Sequence, residues 1–298
     1  MKVQMGTREL TYPDGQLREL RDANALLGDA SALHQRMADD GYLLLRGLID
    51  REAVLAARAS ILHHMAEHEA LEPGSRPLDG VMGQYGKSLN MMGRKPVTHE
   101  SAVRRVLEAP ELFAFFERYF AETATTFDYK WLRAVGNEQC TGAHYDVIYM
   151  GRGSSRLHTC WLPLDDIPIH KGTLCICPGS HQAPGFAKLR ETYGRIDVDR
   201  DGYGGWFTKD PLEVTEKFGG QWHTTDFHAG DVIIFGMYTM HASTTNTTDQ
   251  WRLSCDVRFQ PAADPVDERW VGDNPIGHYG HRADGHERMQ RARATWGV

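Results

Sequence analysis

Along the first 120 positions apolar residues recur at helical spacing, and from about residue 125 they recur at every second position or in short β-branched runs. Residues 1–28 are mixed and punctuated by Gly and Asp, which reads as a surface segment with a short hairpin around Pro13-Asp14-Gly15. From Asp29 or Ser31 as N-cap, Leu33 and Met37 mark a short helix that Gly41 can close in the left-handed conformation. Tyr42 to Arg46 then reads as a buried strand. Asp50 caps a second helix, with Val54, Leu55, Ile61, Leu62 and Met65 on one side and Pro73-Gly74 as its stop. Thr98 to Leu107 and Pro110 to Ala121 predict two more helices, the latter with Pro110 in its first turn and Leu112, Phe113, Phe116 and Phe120 as a core stripe.

After Thr125 the pattern turns strand-like: Thr125 to Val135, His144 to Met150, Arg156 to Leu164, Gly172 to Cys177, Val232 to Phe235 and Arg252 to Phe259, separated by Gly, Asp, Asn and Pro turns. Several short strands without intervening helices predict a mainly β, antiparallel sandwich or barrel flanked by the N-terminal helices. Residues 183–224 form the longest insertion, with Trp206 in its Gly-rich part, and loops of this length in compact domains tend to be lids or interaction surfaces. Residues 262–298 read as a C-terminal extension ending in a polar helix around Glu287 to Arg293. No linker or repeat divides the chain, so the expectation is one domain over 1–298: a helical part over about 29–121, a β core over about 125–261 and the extension.

Composition narrows the class. A formal net charge of −7 with both signs mixed and no basic run argues against nucleic acid or an anionic membrane as partner, and favours a small molecule. Five cysteines, an odd number without a C-x-x-C, do not form a disulfide framework. With no apolar run near the ~18 residues of a membrane span and no signal-like start, a cytoplasmic monomer or homodimer is expected, with Asn246-Thr247-Thr248 unmodified. Cys175 and Cys177 read as buried strand thiols.

The chemistry gathers at Gly142-Ala143-His144-Tyr145-Asp146. On a strand, His144 and Asp146 would point the same way and present an imidazole and a carboxylate to one ion. Downstream, Gly230-Asp231-Val232-Ile233-Ile234-Phe235 reads as a turn and a strand, and His241 stands where that strand ends. Two histidines and one carboxylate on one face of an octahedral Fe(II) leave the opposite positions for a chelating co-substrate and O₂. Eleven residues after His241, Arg252 offers a planar fork suited to the far carboxylate of a 2-oxo diacid. Thr159 and Trp161 share a strand face that lines the barrel mouth, and are grouped with this co-substrate site. The Gly-rich loop between Gly80 and Thr98 carries Lys87, Asn90 and Arg94, which with Trp206 are the candidate substrate contacts.

Taken together, the H-x-D stretch, the turn Pro178-Gly179-Ser180-His181, the Gly-Asp turn with its Val-Ile-Ile-Phe strand, the distal His241 and Arg252 resemble the phytanoyl-CoA dioxygenase family of Fe(II)/2-oxoglutarate oxygenases. The resemblance also covers Asp40-Gly41-Tyr42-Leu43-Leu44-Leu45-Arg46-Gly47-Leu48-Ile49 and runs to about Pro261. It implies a double-stranded β-helix, the cupin-like jelly roll, with Fe(II) held by His144, Asp146 and His241. It further implies that 2-oxoglutarate is held by Arg252 and Ser243, that O₂ is a second co-substrate, and that no residue need act as a general base. Hydroxylation of a C–H bond with release of succinate and CO₂ is the activity that follows. Two other readings compete. His64-Met65-Ala66-Glu67-His68 matches an inverted zinc-protease motif, with both histidines on one helix face, and would make a zinc hydrolase. A non-catalytic cupin-like binder of small molecules is the other.

Overall fold

The computed structural model describes residues 1–13, 15–83, 89–280 and 282–298. Two β-sheets face one another. The larger runs, in spatial order, Tyr42–Leu45, Val232–Gly236, His158–Pro163, Arg252–Pro261 and Ala124–Thr126, with Trp131–Val135 also paired to Arg252–Pro261, and every pairing is antiparallel. The smaller runs His241–Ser243, Leu174–Ile176, Trp222–Thr224 and Leu17–Glu19. An isolated bridge joins His144 to His241, and another joins Ala143 to Thr208, so the H-x-D stretch borders the smaller sheet beside the long insertion. From Trp222–Thr224 onward the strands Val232–Gly236, His241–Ser243 and Arg252–Pro261 pass alternately between the sheets, which is the jelly-roll wrap.

Period-2 alternation explains how each strand of the larger sheet serves two cores. In Arg252–Pro261 the residues Leu253, Cys255, Val257 and Phe259 pack outward against the N-terminal helices, while Arg252, Ser254, Asp256, Arg258 and Gln260 are buried on the opposite, inward face. In Tyr42–Leu45, Leu43 and Leu45 join the helical side, whereas Tyr42 and Leu44 join the core between the sheets with Trp161, Ile176, Phe227 and Ile233. The helices Ala30–Asp40, Arg51–Glu67, Ser101–Leu107 and Pro110–Phe120 form the outer layer. Asp29, Asp50 and Glu100 cap three of them with side-chain oxygens. Leu112 and Phe116 are buried, and Phe113 and Phe120 pack against the same core.

Gly41 closes the first helix at φ +80°, and a Cβ there would meet His181 Nδ1 at 2.6 Å and Thr239 Oγ1 at 2.8 Å. Gly41→Ala is therefore expected to lower stability by more than the ~1–2 kcal/mol that a left-handed L-residue costs by itself. Urea denaturation measures it, and a midpoint equal to wild type would refute this account of the turn.

Four sequence expectations change. Residues 1–28 are largely exposed but not irregular: Lys2–Met5 and Arg8–Thr11 form a hairpin turning at Gly6, and Leu17–Glu19 pairs in parallel with Trp222–Thr224. Val3, Met5, Leu10 and Leu17 are all buried, but strands of three or four residues are too short for their alternation to stand out. The hairpin expected at Pro13-Asp14-Gly15 includes Asp14, outside the described residues. The run Thr125 to Val135 is two strands, Ala124–Thr126 and Trp131–Val135, split where the buried Lys130 ammonium turns to Phe127 O at 2.6 Å and Glu108 at 3.0 Å. The run His144 to Met150 is not a strand, since Val147–Met150 is one helical turn. Finally, the 183–224 segment is built of helices, among them Ala187–Glu191 and Pro211–Phe218, and ends in the strand Trp222–Thr224.

Burial pushes the Cys175 and Cys177 thiols up to about 12, so both stay protonated in the core. The Asn246 amide is fully buried and donates to Val135 O at 2.9 Å and Gln250 O at 2.8 Å, which leaves nothing to glycosylate.

Candidate metal and co-substrate site

His144 and Asp146 meet through a turn. Asp146 has φ −71° and ψ −24° and starts the helical turn, its carbonyl accepting the N–H groups of Tyr149 and Met150 at 3.0 Å, while Val147 N–H donates to Met237 O. The chain thus folds back after His144 and swings the Asp146 carboxylate beneath the two imidazoles. Asp146 Oδ1 lies 3.8 Å from His144 Nε2 and 3.7 Å from His241 Nε2, too far for hydrogen bonds yet with all three ligand atoms within 4.8 Å of one another. All three residues are buried.

The neighbours of the triad set its protonation. His144 Nδ1 is 2.8 Å from Gly142 O and His241 Nδ1 is 3.0 Å from Thr239 O. A carbonyl only accepts, so both Nδ1 atoms carry the proton and both Nε2 lone pairs face the carboxylate. Burial, reinforced by His241, pulls His144 down to about 3. Burial opposes ionisation of Asp146, but Arg258, with the hydrogen bond from Thr159, outweighs it and holds the carboxyl well below the usual range. Neutral imidazoles and an ionised carboxylate are what a divalent metal requires, so the residues present fit Fe(II).

Asp146 Oδ2, the other oxygen, accepts from Thr159 Oγ1 and from Arg258 Nη2 at 3.2 Å. Thr159, grouped with the co-substrate from sequence, therefore contacts the carboxylate of the triad. Thr159→Val, which keeps the shape and removes the donor, is expected to weaken Fe(II) binding by about 10–100-fold with the fold intact. Anaerobic Fe(II) titration measures it, and unchanged affinity would remove Thr159 from the site. Sequence reasoning missed Arg258. Its signal was its place on the same inward face as Arg252, six residues on, but alternation cannot say which buried cation reaches the triad.

Arg252 is buried, with Nη1 donating to Ser254 Oγ, Nε without a partner, and the guanidinium 6.0 Å from the Trp161 ring centre. Among the described residues no carboxylate lies within ion-pair distance. Burial, with Arg133 nearby, lowers its pKa to about 10, so it remains a cation at neutral pH. A buried, unneutralised guanidinium is costly alone and suits an anion that arrives later. Ser243 shares the inward face with His241, and its Oγ accepts Thr141 N–H at 2.7 Å, leaving the hydroxyl proton to donate.

The remaining candidates scatter. Trp206 packs its indole on Gly142, and Phe207 N–H donates to Ala143 O at 2.9 Å, so the insertion touches the H-x-D stretch. Asn90 and Arg94 are exposed, and no hydrogen bond joins either to the triad among the described residues; Lys87 lies outside them. A wall not foreseen from sequence comes from the C-terminal extension. Arg269 pairs with Asp199 and Asp267 and donates to Tyr149 O at 2.7 Å, and His278 joins Asp199 at 3.0 Å. The Tyr149 ring stands edge-on to both His144 and His278. The zinc alternative has no such surroundings: His64 is half-buried, Glu67 and His68 are exposed, and His68 caps the helix end instead of lying within it.

The sequence profile described as Phytanoyl-CoA dioxygenase (PhyH) matches residues 37–254. The chain belongs to the phytanoyl-CoA dioxygenase family. It is a non-haem Fe(II)/2-oxoglutarate-dependent oxygenase, as the sequence resemblance implied. A 1-deoxypentalenic acid 11-beta-hydroxylase of Streptomyces exfoliatus is 27% identical over 270 residues, covering 83% of this chain and 87% of its own. The enzyme of the same name from Streptomyces arenae is 25% identical over 257 residues, 81% of this chain and 85% of its own. Among solved structures, the epimerase SnoN in complex with Fe3+, alpha ketoglutarate and nogalamycin RO superposes with a TM-score of 0.58 over 87% of this chain and 97% of its own, at 19% identity. EctD from S. alaskensis, with 2-oxoglutarate and 5-hydroxyectoine, gives 0.54 over 91% and 90% at 15% identity. The chain shares their fold.

Proposed function

We propose that this oxygenase hydroxylates a C–H bond of a small molecule, with His144, Asp146 and His241 holding Fe(II) and Arg252 with Ser243 receiving the far carboxylate of 2-oxoglutarate. The observation that carries the reading is the pair of buried histidines whose Nδ1 protons are fixed on backbone carbonyls, so that both Nε2 atoms converge with Asp146 Oδ1. When Fe(II) and 2-oxoglutarate are bound, oxidative decarboxylation with O₂ supplies the oxidising power that converts C–H to C–OH, leaving succinate and CO₂. The protein's own task is placement. Thr159 and Arg258 fix the Asp146 carboxylate, Arg252 orients the co-substrate, and Tyr149 with the C-terminal wall limits access to the centre. No side chain has to take a proton from the substrate.

Hydroxylation is preferred because the two Streptomyces relatives named above bear the name of hydroxylases. The whole chain acts as one domain in this reading, since Gly205 of the insertion packs on the Tyr149 ring and the C-terminal extension reaches Tyr149 through Arg269 and His278. The test supplies Fe(II), ascorbate and 2-oxoglutarate across pools of small molecules and measures succinate. A pool that raises succinate and yields a product 16 mass units heavier, the mass of one oxygen atom, supports the reading. Succinate formation that survives in a His144→Ala, His241→Ala double variant would overturn it.

A further inference from the structure

The interior between the sheets, around the triad, holds more positive than negative charge. Arg133, Arg252 and Arg258 point into it from the larger sheet, against the carboxylates of Asp146 and Asp256. Arg258 takes Asp146 Oδ2 at 3.2 Å and stands 3.9 Å from Asp256, while Arg133 Nε donates to Asp256 Oδ2 at 3.1 Å. Arg252 has no carboxylate and receives 2-oxoglutarate in the function proposed above. One positive charge is therefore in excess within this group. Fe(II) brings two more and dianionic 2-oxoglutarate removes two, so the loaded site keeps one net positive charge. A buried charge of that kind calls for an anion.

Accessibility decides which arginine would receive it. Arg258 has a side chain only 3% exposed, and its guanidinium lies 4.4 Å from the Trp131 ring centre. Its guanidinium is already engaged by Asp146 and by the Trp131 ring. Arg133 stands opposite Ser254 on the inward face of the larger sheet, and 33% of its side chain is accessible. Its Nη1 and Nη2 meet no acceptor among the described residues. Arg133 and Arg258 share Asp256, and Arg258 holds Asp146, so Arg133 stands one carboxylate removed from the triad.

We propose that the primary substrate carries a carboxylate, and that Arg133 receives it through Nη1 and Nη2 in the two-pronged manner of a guanidinium. The proposal rests on the oxygenase reading, and concerns the substrate alone. Arg133 is a binding and specificity residue, positioned by Asp256.

The test uses holoenzyme loaded anaerobically with Fe(II) and 2-oxoglutarate, whose visible charge-transfer band reports events at the metal. Cyclohexanecarboxylate and the neutral cyclohexanecarboxamide, matched in shape, serve as probes. The carboxylate is expected to perturb the band at a concentration about tenfold or more below that needed by the amide. Arg133→Gln should erase this preference and leave the 2-oxoglutarate Kd within about twofold of wild type, whereas Arg133→Lys, which keeps the charge, should retain part of it. Equal response of wild type to both probes, or to neither, would overturn the proposal. So would a 2-oxoglutarate Kd raised in Arg133→Gln as much as in Arg252→Ala, because Arg133 would then serve the co-substrate. Absence of the band from wild type would instead strike the oxygenase reading, by a readout that involves neither probe.

Discussion

His144→Ala is expected to lose both Fe(II) retention and succinate formation, while its circular dichroism stays that of wild type. Removing Nε2 deletes one of the three proposed ligands, and no other His, Cys, Asp or Glu among the described residues joins that cluster to replace it. Losing an outer-shell partner of a metal site costs about 10–100-fold in affinity or activity, and losing a ligand should exceed that. The smaller side chain also frees Gly142 O from its 2.8 Å contact with Nδ1, a local loss beside the bridge that ties the backbones of residues 144 and 241 together. His64→Ala and His68→Ala serve as controls and should bind Fe(II) as wild type does, because their rings lie on the helix Arg51–Glu67 and at its cap. Anaerobic titration followed by the charge-transfer band decides between them. Metal binding that survives in His144→Ala and disappears in the helix variants would move the centre to His64, Glu67 and His68.

Arg252→Ala should raise the 2-oxoglutarate Kd by about ten- to a hundred-fold and leave Fe(II) affinity near wild type. The change removes a charge-assisted contact worth on the order of 1.5–3 kcal/mol and touches no metal ligand. The structure adds the reason that the effect belongs to the co-substrate: Arg252 is buried without a carboxylate partner, so its charge has no other anion to serve. Isothermal titration with Fe(II) and with 2-oxoglutarate separates the two affinities. An unchanged 2-oxoglutarate Kd would remove Arg252 from the site. A parallel loss of Fe(II) would mean that the residue maintains the barrel and does not bind the co-substrate.

Features set by neighbours in the chain are legible in the sequence. Asp29 and Asp50 cap their helices and Gly41 ends the first, because capping is a contact over three or four residues. The alternation in Arg252–Pro261 marks a strand with two different faces. The order His144, Asp146, His241, Arg252 is legible as well, since the family profile spans residues 37–254 and the motif is a linear record of it. The local geometry of that motif is not. Val147, Ile148 and Tyr149 have strand-like character, yet the turn is held by a bond from Val147 N–H to Met237 O, 90 residues away, and strand propensity yields to such a contact.

By itself, then, the sequence determined the helices with their caps, the β class of the core, the family, and which residue types are available to a metal and a 2-oxo acid. Only the tertiary structure decided which inward cations reach which carboxylates. Arg258 approaches Asp146, Arg133 holds Asp256 with two nitrogens left over, and Arg252 remains unpaired. It also brought Asp199 of the insertion and Arg269 of the C-terminal extension together behind Tyr149, 70 residues apart in the chain. The physical reason is the same in each case: alternation and capping are short-range and repeat along the chain, whereas the pairing of buried charges depends on distances across the barrel that no local pattern encodes.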